Sequence, residues 1–302
     1  MNAHRFRWTV AACVAVVAGV SVVGAGQQTP ADPRERSVAI SAIGPGDKPV
    51  TDLKISDVTV REDNREREVR RVGPAPPPTH VALLADDSQS AKDAVQFLRT
   101  ALNGFIKRML SGEQAPQVGF WTFGERPTRR ADFSPNSAQV ERAIERTFAL
   151  QGSGSYLMEA IDEVCKDLRK RKAERPVIVA FVDERGPEFS NLLHTNVGET
   201  LKTAGASLWT ITMQARNQNM GVPELRERAM VLGDVTGWSG GVNTTILTPQ
   251  ALDTAFASVA DQILGRLAVT YVRPEALVPP ERIEVTVKRP DVKLRVTRWA
   301  GR

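Results

Sequence analysis

The order of apolar and polar positions divides the chain into distinct parts. Residues 80 to 267 alternate short apolar runs with longer stretches in which apolar residues recur every three or four positions. On both sides of this part, short stretches alternate apolar and polar residues, which is typical of strands with one solvated face. Residues 8 to 23 form an uncharged, mainly apolar run.

The middle part predicts strands and helices in alternation. The predicted strands are His80–Ala85, Val118–Phe123, Val177–Val182 and Ser207–Thr212. The predicted helices are Ala91–Leu110, Ser137–Thr147, Tyr156–Lys172, Asn196–Ala204, Leu225–Leu232 and Pro249–Leu267. Apolar strands interleaved with helices are the signature of a parallel sheet covered on both faces. The predicted fold class is therefore α/β, with a doubly wound, mostly parallel sheet.

The two ends of the chain predict a small β-rich module. Residues 37–73 combine short strands with turns, and residues 268–302 contain further alternating stretches, so the two segments are expected to pair. Within the first segment, residues 61–71 carry both signs of charge and are predicted to be a solvated strand pair. The proline-rich residues 74–78 predict a stiff linker to an α/β domain at residues 79–267, because proline cannot extend a helix.

The N-terminus predicts export. Arg5 and Arg7 precede the apolar run, and small residues follow it up to Gly26, which is the order of a secretory signal peptide at residues 1–26. Cleavage near Ala25 or Gly26 predicts a periplasmic, secreted or cell-surface protein. The run is about 16 residues long and a bilayer span needs about 20, yet a retained membrane anchor stays open as the alternative.

Composition narrows the partners and the redox chemistry. Removal of Arg5 and Arg7 with the signal peptide lowers the formal net charge from +5 to +3, which is too small a surplus to predict nucleic-acid binding. Cys165 is then the single cysteine, so no intramolecular disulfide is expected. It follows Ile161 by four positions on a helical pattern, which predicts a buried structural thiol.

Candidate chemistry begins directly after the first predicted strand. Asp86, Ser88 and Ser90 lie where ligands collect in a doubly wound sheet, outside the carboxyl end of a strand. By itself this string is also typical of a turn or a helix cap. Ser155 in a glycine-serine loop and Asp183 at the end of another strand are expected at the same sheet edge, which adds weight to a binding site.

Together these five residues offer carboxylate and hydroxyl oxygens without histidine or cysteine. Such hard oxygen donors suit Mg²⁺, Mn²⁺ or Ca²⁺ and do not suit zinc. Two neighbouring carboxylates repel each other unless a cation lies between them. The sequence therefore predicts a divalent-metal site at Asp86, Ser88, Ser90, Ser155 and Asp183.

This pattern resembles the metal-ion-dependent adhesion site, or MIDAS, of von Willebrand factor A domains. The resemblance implies that Asp86 and the two serines ligate the ion, Ser155 adds a hydroxyl, Asp183 acts through water, and a partner's carboxylate completes the shell. The segment Lys48–Asp63 and the β tail containing Tyr271 are further similar to the VWFA-related family described from Acidobacteria, over nearly the whole exported chain.

The chain departs from the usual pattern in three places. Ser155 stands where threonine is usual, and Glu184 stands where glycine is usual, so Glu184 is expected to crowd the site or to add a charge. Asp87 is an extra carboxylate in the first loop.

The resulting expectation is an exported bacterial protein, not an enzyme, that captures an acidic residue of a protein partner through the metal. Two alternatives stay open, namely a structural envelope component with a degenerate metal site and a metal-dependent hydrolase. A membrane is expected to be involved only through a retained N-terminal segment.

Overall fold

The computed structural model describes residues 32–112, 114–215, 219–274, 280 and 282–297. Its strands are β1 (Glu35–Ile43), β2 (Val58–Glu62), β3 (Arg65–Arg67), β4 (Val69–Pro74), β5 (His80–Ala85), β6 (Gln117–Thr122), β7 (Thr128–Ser134), β8 (Val177–Asp183), β9 (Ser207–Met213), β10 (Asn243–Ile246), β11 (Leu267–Val272), β12 (Ile283–Val287) and β13 (Lys293–Val296). Its α-helices are α1 (Val95–Met109), α2 (Ser137–Glu145), α3 (Leu157–Lys170), α4 (His194–Ala204), α5 (Pro223–Met230), α6 (Thr236–Trp238) and α7 (Leu252–Leu264).

A six-stranded sheet in the order β10-β9-β8-β5-β6-β7 carries the α/β part. All neighbouring strands run parallel except β7, which pairs antiparallel with β6 at the edge. Strands β5, β8 and β9 are buried along their whole length, because helices cover both faces of the sheet. The predicted fold class is confirmed.

Helices close the two faces with separate apolar clusters. On one face, α1, α2 and α7 pack against the sheet, with Phe105 and Phe256 in edge-to-face contact at 5.9 Å between ring centres. On the other face, α3 and α4 pack around Ile161 and Leu201. Cys165 in α3 is fully buried there, as predicted for a structural thiol.

Several predicted boundaries are wrong. The last helix ends at Leu264, because Leu267 already begins β11, and it was predicted to run to Leu267. The helix predicted at Leu225–Leu232 is α5 followed by a π-helical turn at Val231–Val235. Strands β7 and β10 were not predicted, since both are polar edge strands without a clear apolar alternation.

The two chain ends build two further antiparallel sheets, in the orders β13-β1-β11-β4 and β12-β2-β3. Val38 pairs with Val269, and Val60 pairs with Val285, so apolar residues from both ends share one core. Strand β4 extends through Pro74 at a sheet edge, where the missing N–H of proline is tolerated. Within residues 61–71, which were predicted to form a solvated strand pair, Glu62 is instead buried, with 1% of the residue exposed.

The predicted signal peptide, residues 1–26, lies outside the described residues. Within the described ranges, no helix combines the length and the apolar character needed to cross a membrane.

Candidate functional site

The candidate site lies where the chain order of the central sheet reverses direction. From β5 the chain moves to β6 on one side, and it later returns to β8 on the other side. The loops that follow β5 and β8 therefore diverge at their carboxyl ends and leave a crevice for ligands. Asp86 immediately follows β5, and Asp183 is the last residue of β8.

Asp86 connects the loop after β5, here called the first loop, to the loop after β8, here called the third loop. Its Oδ1 accepts a hydrogen bond of 2.9 Å from the backbone N–H of Ser88, and its Oδ2 accepts one of 3.1 Å from the backbone N–H of Asp183. The side chain is fully buried, and this burial raises its pKa to about 6, with the nearby Asp183 acting in the same direction. The fold thus holds a carboxylate whose negative charge is only partly offset.

Ser88 and Ser90 place two hydroxyl groups beside this carboxylate. Their Oγ atoms are 2.9 Å apart, with Ser88 fully buried and Ser90 partly buried. Gly186 of the third loop lies against both, because a Cβ added there would come within 2.4 Å of the Ser90 Oγ. Only glycine permits this close approach, so the first and third loops are packed together at the two hydroxyls.

Asp183 is held by a residue that the sequence analysis did not single out. Arg185 donates from Nε to Oδ1 of Asp183 at 2.8 Å and from Nη2 to Oδ2 at 2.6 Å. The same Nη2 also donates to the backbone carbonyl of Ser90 at 3.0 Å. These contacts raise the pKa of Arg185 and neutralise a carboxylate that is fully buried.

Ser155 reaches the same edge from the second loop. Its backbone N–H donates to the carbonyl of Pro187 at 2.9 Å, and the N–H of Phe189 donates back to its carbonyl at 2.8 Å. Its hydroxyl oxygen is buried and has no hydrogen bond of ordinary geometry. The second loop, which ends at Ser155, and the third loop are therefore joined, and the buried Ser155 hydroxyl lies between them, near Glu188.

Glu188, beside Ser155, is a further buried carboxyl of the site, and sequence reasoning missed it. Its Oε1 accepts hydrogen bonds from the Ser190 hydroxyl at 2.6 Å and from the backbone N–H of Leu157 at 3.2 Å. Burial raises its pKa to about 7, while Ser190, the fully buried Arg228 and the nearby Ser155 hydroxyl oppose the shift. Arg228 itself donates to the carbonyls of Glu184 and Gly186, which fixes the third loop from below.

Asp87 and Glu184, the two additional acidic residues in the loops, have different contacts in the structure. Asp87 is directed away from the other donors, because its carboxylate accepts from the backbone N–H of Gly124 at 2.6 Å and from Arg130 at 3.2 Å. It is a structural link to the loop after β6. Glu184 contributes its backbone N–H and carbonyl to Met213 and Arg228, so the side chain that adds charge next to Asp183 is that of Arg185.

The donors fit a hard divalent cation. Two ligands at right angles, each about 2.1 Å from Mg²⁺, are about 3 Å apart, and the Ser88 and Ser90 hydroxyl oxygens are separated by 2.9 Å. The buried Ser155 oxygen and the Asp86 carboxylate add further hard donors. Within the described part of the chain, no group of three or more His, Cys, Asp or Glu side chains could hold a metal, so an ion here depends on the hydroxyls.

Sequence comparison identifies the kind of domain that this part of the chain is similar to. Residues 80–229 match the family model of the von Willebrand factor type A domain. The match runs from β5 nearly to the end of α5 and includes all five predicted site residues. A comparison with the curated proteins finds no match.

Among solved structures, the chain is similar to proximal thread matrix protein 1 from the mussel byssus, with 12% identity over 64% of this chain and 48% of that one, at a TM-score of 0.49. A form of the mussel protein with a zinc-occupied MIDAS motif gives 16% identity over 64% and 47% of the two chains, at the same TM-score of 0.49. BatB from Bacteroides thetaiotaomicron gives 9% identity over 61% and 98%, at 0.45. This chain spans about half the length of the mussel protein.

Proposed function

We propose that the protein is exported and captures a protein partner by binding an acidic side chain through a divalent cation. Asp86, Ser88, Ser90 and Ser155 would hold the ion, with Asp183 beside them, and Mg²⁺ or Mn²⁺ is the preferred ion with Ca²⁺ as the alternative. We also propose that the protein is a member of the VWFA-related family described from Acidobacteria. The observation that carries it is the group of Asp86 and two serine hydroxyls at the crevice of the sheet.

The surface around this group supports a protein partner. Large apolar side chains are exposed in the loops at the same sheet edge, namely Phe148, Phe189, Leu193 and Leu247. Phe189 lies over Gly154 in the second loop and against Tyr156, with ring centres 5.9 Å apart. Exposed apolar residues around a polar centre are typical of protein interaction sites.

The described histidines favour binding over catalysis. The ring of His80 contacts the Thr79 hydroxyl, and the ring of His194 contacts Glu227, both with Nδ1. The Ser88 hydroxyl is paired with the Ser90 hydroxyl at 2.9 Å, and a hydroxyl is not a general base. We therefore propose a binding role without a catalytic step.

Partner capture tests this proposal. The protein is immobilised, incubated with an envelope extract in Mn²⁺, and then washed with chelator. We expect specific proteins to be released by the chelator, to be lost with Asp86→Ala and to be kept with Ser153→Ala, whose hydroxyl donates only to the carbonyl of Leu150 at 2.7 Å. Capture that is insensitive both to chelator and to Asp86→Ala would support a structural role with a degenerate site. Metal-dependent turnover of generic phosphoesters would overturn the non-catalytic part.

Export is tested separately by the N-terminus of the protein purified from the native envelope fraction. Intact mass and N-terminal sequencing are expected to show a chain that begins near residue 26 or 27. A chain that keeps residues 1–26 in a membrane fraction would instead establish the retained anchor, and a full-length cytoplasmic chain would contradict export.

A further inference from the structure

Arg185 forms a bridge between two loops of the site. Its guanidinium contacts both carboxylate oxygens of Asp183, at 2.8 and 2.6 Å, and the backbone carbonyl of Ser90, at 3.0 Å. The backbone N–H of Arg185 also donates to Asp183, at 3.0 Å. A side chain of the third loop therefore closes over the residues proposed to hold the ion.

This contact places one positive charge where a divalent cation needs a negative one. Asp183 is fully buried, and the guanidinium uses both of its oxygens. A cation held by Asp86 and the two serines would be repelled by the neighbouring guanidinium at short range and low dielectric. An ion at this place would therefore compete with the guanidinium for the same carboxylate.

The exposure of Arg185 would allow its guanidinium to move away from Asp183 into solvent. Its side chain is 39% exposed, whereas that of Asp183 is 0% exposed. A long side chain with an exposed head group can turn into solvent without disturbing the core. The backbone N–H of Asp183 donates to Asp86 and that of Arg185 donates to Asp183, and neither hydrogen bond involves the guanidinium.

We propose that Arg185 is a tethered cation that competes with the divalent ion for Asp183 and thereby sets the affinity of the site. This inference rests on the proposed function, and it deepens that function by assigning its control to one residue. In the absence of the ion, Arg185 neutralises Asp183 and holds the first and third loops together. Binding of the ion requires the guanidinium to leave Asp183.

The test compares Arg185→Ala with a matched control, Arg130→Ala. Arg130 is 40% exposed and pairs at 3.2 Å with Asp87, which is 1% exposed, so both variants remove an arginine from a buried aspartate of the same sheet edge. The thermal midpoint is measured in chelator and in saturating Mn²⁺, and the Mn²⁺ affinity is measured by titration. Arg185→Gln, which keeps hydrogen-bond donors but removes the charge, is the second variant in case Arg185→Ala does not fold.

In chelator, both alanine variants are expected to melt below the wild type. In Mn²⁺, Arg185→Ala and Arg185→Gln are expected to gain more thermal stability than the wild type and to bind the ion at least about tenfold more tightly, whereas Arg130→Ala keeps the wild-type response. If the wild type binds Mn²⁺ and the Arg185 variants bind equally or more weakly, the competition is disproved and the proposed function stands. If neither the wild type nor the Arg185 variants bind Mn²⁺, both proposals fail.

Discussion

Buried carboxyl groups have different partners in two parts of the molecule, namely the β-rich module that both chain ends build and the edge of the central sheet at the candidate site. In the module, Glu62 accepts from the Tyr271 hydroxyl at 2.7 Å, from Arg273 at 2.9 Å and from Arg67 at 3.0 Å. At the sheet edge, Asp86 accepts from the backbone N–H groups of Ser88 and Asp183 and interacts with the Ser88 hydroxyl, without a cationic partner among its contacts with the described residues, and burial raises its pKa to about 6. The first arrangement stabilises the fold, whereas the second leaves a partly compensated carboxylate at the place where we propose that the ion binds.

The largest expected effect tests the stabilising role of Glu62. Replacement by alanine removes the shared acceptor of Arg67, Arg273 and Tyr271, and leaves buried donors unpaired, so we expect a loss of about 3–5 kcal/mol in the free energy of unfolding. Denaturant unfolding measures it. The control is Glu66→Ala, because the Glu66 side chain is 67% exposed and its ion pair with Arg61 is long, at 3.8 Å, so its removal should cost little. Equal stability of the two variants would show that the Glu62 cluster contributes nothing special.

The next prediction concerns Glu188, a buried carboxyl, and the way in which the free energy of unfolding changes with pH. The pKa of Glu188 is raised from 4.5 to about 7 in the fold. Between these pH values the folded state keeps a proton that the unfolded state has released, so stability falls as pH rises from about 4.5 to 7 and then levels off. At about 1.4 kcal/mol for each pH unit, the loss is on the order of 3 kcal/mol.

Glu188→Gln isolates this contribution, because its amide oxygen can accept the bonds that Oε1 receives from Ser190 and Leu157. Unfolding is measured from pH 5 to pH 8 in chelator. We expect the variant to become more stable relative to the wild type as pH rises. Parallel curves for the two proteins would show that Glu188 titrates normally.

A smaller effect concerns one hydrogen bond of the Glu62 cluster. Tyr271→Phe removes a buried hydroxyl that donates to a carboxylate, which is expected to cost about 2 kcal/mol. Tyr156, the other tyrosine of the chain, is the control, and Tyr156→Phe is expected to change the free energy of unfolding by less than about 0.5 kcal/mol. A loss in Tyr156→Phe equal to that in Tyr271→Phe would contradict the special role of the cluster.

The smallest effect uses Cys165 as a buried group that serves only packing. Burial raises the pKa of its thiol, so the native protein is expected not to react with a thiol reagent, and the unfolded protein is expected to react fully. Cys165→Ala should cost about 1 kcal/mol, as for other small deletions in a core. Rapid reaction of the native thiol would show that this part of the core opens readily.

The sequence was most informative in the segments where apolar residues form continuous runs or recur at regular spacing. The apolar runs at β5, β8 and β9 predicted the parallel sheet, and the polar residues after two of them predicted one shared edge. Strands β7 and β10 were missed because they lie at the two edges of the sheet, where charged and polar residues take the place of an apolar pattern.

Within the site, the residues that depend on tertiary contacts were missed. Arg185 belongs to a loop sequence that any solvated loop could have, and only the folded third loop turns its guanidinium onto Asp183. The burial of Glu188 depends on Arg228, which lies in α5, far along the chain. Neither position has a sequence spacing from which the contact could be derived.

The most direct test of the metal site is calorimetric titration of the protein with Mn²⁺, comparing the wild type with Asp86→Ala, Ser155→Ala, Arg185→Ala and the control Ser153→Ala. The account predicts one ion for each wild-type chain, none for Asp86→Ala, weaker binding for Ser155→Ala and unchanged binding for Ser153→Ala. Equal binding by the wild type and Asp86→Ala, or no binding by either the wild type or Arg185→Ala, would contradict a divalent-metal site at this edge of the sheet.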